Sequence, residues 1–191
     1  MPSHVNTITT ALPYHLGSVN CYLVQTDAGY ILIDTGCSNQ RAALEQALRR
    51  TFDAPLAMHP ADFAMITRGD MFASRDHRNP IFQAVAARLF KFGKANYVTP
   101  DLPLTEGLDL STYGLDATVI SLPGHSHGSI GLLTAGGDLF VGDPLENVKR
   151  PALNSIMDDR RTAQASVVKL RRLSVKTVYA GHGVPFSLTD L

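Results

Sequence analysis

Leu122-Pro123-Gly124-His125-Ser126-His127-Gly128-Ser129-Ile130 closes one apolar run and opens the next. Val119, Ile120 and Leu122 lead into it, and Ile130, Leu132 and Leu133 lead out. Proline brings no amide donor to a ladder and glycine weakens a strand, so the pattern predicts two imidazoles on a tight loop at a strand end. Working outward, the same plan recurs twice. Asp143 stands in Leu139-Phe140-Val141-Gly142-Asp143-Pro144, and His182 in Val178-Tyr179-Ala180-Gly181-His182-Gly183. Three strands are thus expected to end in His, Asp and His, a donor set that suits Zn2+, Fe2+ or Mn2+. An ion held there brings the pKa of a coordinated water toward neutrality, which supplies a hydroxide nucleophile for hydrolysis.

The rest of the composition narrows the classes around that loop. At 191 residues the chain suits one domain with a substantial core. Its 17 basic and 17 acidic residues balance, and neither sign fills a long block, so nothing electrostatic points to nucleic acid or an anionic membrane. A small-molecule substrate is the expected partner. Cys21 and Cys37, the two cysteines, form no C-x-x-C pair, and Cys21 sits in an apolar run as a small buried hydrophobe. No run approaches the roughly 18 to 20 apolar residues of a membrane span, and the N-terminus lacks a secretory pattern, so a cytoplasmic protein is expected. A metal-independent esterase lacks support, because Ser126 between two histidines is better explained by the loop.

Read in order, residues 5–34 predict antiparallel strands, with Asp27-Ala28-Gly29 as a turn and a strand ending at Asp34-Thr35-Gly36. Residues 38–50 carry an amphipathic helical pattern, capped by Ser38 or Asn39. A short strand-like piece, Pro55-Leu56-Ala57-Met58-His59, leads to a helical start at Pro60-Ala61-Asp62. A polar loop at 67–79 and helical spacing through Ile81, Val85, Leu89 and Phe92 make a helical insertion or flap at about 61–96. Strands are expected at Glu106–Leu110, Ala117–Leu122, Ser129–Thr134, Asp138–Val141 and, closing the sheet, Lys176–Ala180. A helix over Asp158–Leu173 turns Val167, Val168, Leu170 and Leu173 inward. Two strand clusters, each followed by helices, suggest two sheets packed face to face with helices outside.

Taken together, Asn20-Cys21-Tyr22-Leu23-Val24, Ile31-Leu32-Ile33-Asp34-Thr35-Gly36, Pro123-Gly124-His125-Ser126-His127-Gly128-Ser129, Val141-Gly142-Asp143 and Tyr179-Ala180-Gly181-His182-Gly183 resemble the metallo-β-lactamase superfamily, in that family's order and across nearly the whole chain. The resemblance implies a mixed α/β fold, a single four-layer αββα sandwich over residues 1–191, with a metal site at one edge of the two sheets. By position, His125 corresponds to the histidine of the first metal site, Asp143 to the bridging carboxylate and catalytic acidic residue, and His182 to the last histidine of the second site. Asp34 corresponds to a supporting aspartate rather than a ligand.

One departure qualifies the resemblance. The family's H-x-H-x-D-H signature, which supplies most of the ligands, should follow the first helix and a hydrophobic strand, and it is absent. The N-terminal half looks shortened by roughly one βα unit, about 30 residues. Losing an interior strand exposes ladder groups, so the expectation is a homodimer or a domain swap. Two functions stay open. One is a hydrolase with a reduced site of His125, Asp143 and His182 holding one Zn2+ rather than two, or Fe2+ or Mn2+, and attacking an ester, thioester, lactone or phosphoester, with His59 and His127 as candidates to complete the site. The other is a non-catalytic relic without metal, serving as a binding or assembly module.

Overall fold

The computed structural model describes residues 4–12, 17–34, 55–68 and 99–191. The helix expected at 38–50, the loop beyond Arg68 and the flap helix, with His15 and Cys37, lie outside the described residues. Strands β1 (Val5–Ala11), β2 (Ser18–Thr26) and β3 (Gly29–Ile33) form an antiparallel sheet in that order. The β2–β3 hairpin turns at Asp27-Ala28, as its turn chemistry predicts. Strand β4 (Ala57–Met58) pairs in parallel with β5 (Leu102–Pro103), and α1 (Phe63–Arg68) follows a single 3-10 turn at Pro60–Asp62.

The larger sheet comprises β6 (Ala117–Ser121), β7 (Ile130–Thr134), β8 (Asp138–Asn147), β9 (Ala152–Leu153), β10 (Thr177–Gly183) and β11 (Phe186–Ser187). Its main order is β11-β10-β8-β7-β6, with β9 paired to β8 beyond this path. Helix α2 (Arg160–Leu170) covers its outer face. Two cores result. Leu122, Leu139, Val141, Leu145 and Val178 pack with Leu170 of α2 on one side. On the other, Tyr22 and Val24 from the first sheet meet Leu115, Val119, Leu132 and Phe140. Sheet, sheet and helix are thus three of the four expected layers; the helices expected at 38–50 and through Phe92 lie outside the described residues. Cys21 is buried, as its apolar run predicts. No helix among the described residues is long and apolar enough to cross a membrane.

Several expected boundaries move, each for a physical reason. Glu106–Leu110 is not a strand but a turn with one isolated bridge, Asp109 to Thr118. Strand β11 pairs outside β10, so β10 does not close the sheet. Helix α2 starts at Arg160 because the Asp159 side chain caps it, accepting from the Arg161 and Thr162 amides. Its buried residues are Ala163, Ser166 and Leu170, spaced by three and four; Val168, expected inward, stands off that stripe and is 52% exposed. The largest change concerns the site. Strand β8 does not stop at Val141 but runs through Asp143 to Asn147, and β10 runs through His182 to Gly183.

Candidate metal centre

Continuous strands would hold Asp143 and His182 flat in a ladder, and a bulge prevents this. Between Ala180–Gly142 and His182–Glu146 the register of β10 advances two residues while β8 advances four. The extra residues bow β8 outward at Gly142-Asp143-Pro144, as unmatched residues do where a strand must re-aim a side chain. Asp143 thereby leans over β10 at Gly181. A Cβ at Gly181 would overlap the Asp143 Oδ1 atom, so the close approach requires glycine there.

His125 alone sits on a true loop after a strand, and its approach is fixed by α2. The Asp158 and Asp159 amides donate to the Gly124 carbonyl, and the Ser166 hydroxyl donates to that of Pro123 at 2.8 Å. The ring is then oriented through Nδ1, which lies 2.6 Å from the Ile156 carbonyl oxygen. His182 is oriented the same way: its Nδ1 lies 2.6 Å from the Ser18 carbonyl at the start of β2. A carbonyl only accepts, so each Nδ1 carries the proton. Each Nε2 is consequently turned toward Asp143, at 3.9 Å from Oδ2 for His125 and 3.2 Å from Oδ1 for His182.

This is the arrangement a metal-binding histidine needs: one nitrogen tied to a backbone acceptor, the other presented to the site. Neighbouring donors around a tetrahedral ion with bonds of about 2.0–2.1 Å sit roughly 3.3 Å apart. The His182–Asp143 spacing meets that figure and the His125–Asp143 spacing exceeds it slightly. Among the described residues, no three His, Cys, Asp or Glu side chains close fully around one point. The expected trio instead comes together as two pairs sharing Asp143, one oxygen to each histidine. Its chemistry fits a divalent ion; its closure is incomplete. The hydrogen bond and charge of Asp143, against the opposing effect of burial, raise His182 from 6.5 to about 9.

The His182 strand is held from the opposite sheet. Asn20 Nδ2 donates to the Gly183 carbonyl at 2.7 Å and the Tyr22 hydroxyl to that of Ala180 at 2.5 Å, so the two contacts bracket His182. Burial, with smaller effects that include the nearby Asp34 charge, raises the Tyr22 hydroxyl to about 12 and keeps it a donor. Tyr22 also packs against Phe140 and Tyr179, whose rings stack 4.8 Å apart. Asp34 itself is exposed at the end of β3 with a φ of 65°. Of the two candidates to complete the site, His127 is exposed, and His59 accepts the Ala61 amide through Nδ1 as the cap of the 3-10 turn. Sequence reasoning missed Asn20, Tyr22, Ser18, Ile156 and Asp62, whose buried carboxylate reaches the His125 loop. The backbone acceptors leave no mark in a sequence, whereas Asn20, a polar residue inside an apolar run, was a usable signal.

The family model described as metallo-beta-lactamase superfamily matches residues 15–51 and 46–182. The two matched pieces overlap at 46–51, the junction where the H-x-H-x-D-H unit would stand. Among solved structures, a metallo-beta-lactamase family protein from Thermus thermophilus, TTHA1429, superimposes with a TM-score of 0.69 at 22% identity, over 97% of this chain and 75% of its own. TTHA1623, solved in a di-iron-bound form, gives 0.69 at 24% identity over 96% and 95%. An archaeal metallo-beta-lactamase superfamily protein, ST1585 from Sulfolobus tokodaii, gives 0.61 at 17% over 97% and 82%. No curated protein matches the chain.

Proposed function

Because the chain belongs to the metallo-beta-lactamase superfamily, we propose that it is a metal-dependent hydrolase with a reduced site, in which His125, Asp143 and His182 hold one divalent ion. Zn2+ suits two imidazoles and a carboxylate, and Fe2+ or Mn2+ would also be accepted. The observation that carries the reading is the matched pair of rings: both Nδ1 atoms on backbone carbonyls at 2.6 Å, both Nε2 atoms toward opposite oxygens of one carboxylate. A structural histidine has no need of that shared orientation.

A bound ion supplies Lewis acidity and an acidified water, the chemistry that opens an ester, thioester, lactone or phosphoester. Asp143 lies between the two imidazoles, where its carboxylate orients the attacking group and takes up its proton. His182, held by β2, gives up its own proton when it becomes a ligand. His125 presents its Nε2 toward the other carboxylate oxygen, at 3.9 Å. The substrate is a small molecule, and the compartment proposed is the cytoplasm.

The incomplete closure of the trio favours the second reading, a binding or assembly module that keeps the shape without the chemistry. Metal analysis of protein purified without chelators separates the two. The hydrolase reading expects close to one equivalent of transition metal, a fall in melting temperature on chelation, and hydrolysis of at least one member of an ester, thioester, lactone and phosphoester panel. No bound metal together with no chelator effect on stability would sink it.

A further inference from the structure

We infer that Asp62 is the positioning residue of the His125 loop and that, through this loop, it sets the metal affinity of the site. The inference rests on His125 being a ligand, as proposed above. Asp62 ends the 3-10 turn before α1 and is 6% exposed. Burying a carboxylate is costly unless its oxygens are hydrogen-bonded. Both of its oxygens go to one short stretch of chain. Oδ2 accepts the Ser126 hydroxyl at 2.5 Å, and Oδ1 accepts the Gly128 amide at 3.1 Å.

The loop closes on itself around that carboxylate. Ser129 Oγ accepts the Ser126 amide at 3.0 Å and lies 2.9 Å from Ser126 Oγ. Three of the four residues after His125 are therefore tied into one buried network, while the His127 side chain projects to the surface. Packing leaves no slack. A Cβ at Gly128 would come within 2.5 to 2.8 Å of the Asp62 carboxyl atoms. Charge-assisted hydrogen bonds are shorter and stronger than neutral ones, so an ionised Asp62 fixes the loop more tightly than a neutral side chain would. With Gly124 held by the start of α2 and Ser126 held by Asp62, His125 is clamped from both neighbours. The position of His125 relative to Asp143, 3.9 Å from Nε2 to Oδ2, is then set by this clamp.

Purified, metal-free wild type, Asp62→Asn, Asp62→Ala and Ser126→Ala are titrated with Co2+ and with Zn2+ against a chromophoric chelator. The His125 ring proton on Nδ1 is followed by NMR in the same metal-free samples. Asp62→Ala should weaken both metals by about 10- to 100-fold, the range seen when groups that orient ligands are removed. Asp62→Asn should restore affinity to within a few-fold, because its carbonyl still accepts from Gly128 and its amide can donate to a reoriented Ser126 hydroxyl. Broadening or loss of the His125 proton in Asp62→Ala, with the His182 proton unchanged, supports the inference. Wild-type affinity in Asp62→Ala, or an unmoved His125 proton, overturns it. If Asp62→Ala does not fold, Ser126→Ala, which removes the hydroxyl that Asp62 accepts, carries the same two readouts with the same losses expected. If wild type binds no metal, the proposed function fails, and the NMR comparison alone decides whether Asp62 positions His125.

Discussion

The two histidines reach the same carboxylate by different means. His182 is a strand residue held across the sandwich by Ser18, Asn20 and Tyr22 of β2. His125 is a loop residue held by α2, by the Ile156 carbonyl and by the Asp62 network. The first support is part of the inter-sheet core, so it forms only when the two sheets dock. The second is polar and lies at the sheet's edge, so it can be altered while the core stands. Substitutions near His182 should therefore move stability and metal affinity together, and those near His125 should move affinity more than stability.

The largest separation is expected from Tyr22→Ala. It removes a buried ring in contact with Phe140 and Tyr179 and the hydroxyl on Ala180. Replacing a buried aromatic by alanine costs about 3–5 kcal/mol. Denaturant titration of the metal-free protein should show a loss of that size. A loss below about 1 kcal/mol would mean that the two sheets do not depend on this contact.

Gly181→Ala comes next, and it strikes at the junction of the two supports. The new Cβ meets Asp143 Oδ1, so the carboxylate must leave His182. Overpacking of this kind costs about 1–3 kcal/mol. Metal competition should show a clear loss of affinity that exceeds the stability change. Equal wild-type affinity would show that Oδ1 is not the oxygen used.

The comparison also explains what could be read from the chain. Apolar alternation located β2, β3, β6, β7 and β10, because an inward-facing side chain every second residue is a local property. Glycine and proline marked His125, Asp143 and His182 for the same reason. The bulge that lifts Asp143 out of β8 was not legible, since it depends on how many residues of β10 stand opposite. Asp62 read as an ordinary helix-start aspartate; its partner Ser126 is 64 residues away, and nothing near Asp62 announces it. Val168 was misplaced because an apolar residue beside an apolar stripe fits it on composition while missing it by angle. The supports of the site are long-range contacts, whereas its donors are short-range patterns.

Proton linkage gives a smaller but directional effect on the His182 side. Asp143 raises His182 in the folded protein to about 9, against an ordinary value of 6.5. The stabilisation from this pair is therefore fully present below about pH 6.5 and is lost as pH rises through about 9. Denaturation midpoints of the metal-free protein should fall across that window, and Asp143→Asn should flatten the fall. Metal binding at neutral pH should also release a proton from His182, detectable by calorimetry in buffers of different ionisation enthalpy. A wild-type midpoint that does not fall across this interval would contradict the paired geometry.

The smallest effect should come from His59→Asn, and it sharpens the comparison because His59 stands three residues from Asp62. Its Nδ1 accepts the Ala61 amide and caps the 3-10 turn that ends in Asp62. Asparagine caps a helix start about as well as any residue, so the turn should survive and stability should change by less than about 0.5 kcal/mol. If His59 acts only as a cap, Zn2+ affinity also stays at the wild-type level, because Asp62 keeps its place. A large loss of affinity at unchanged stability would instead make His59 a ligand. The His125 side of the site would then hold a second imidazole, supplied from the turn beside Asp62.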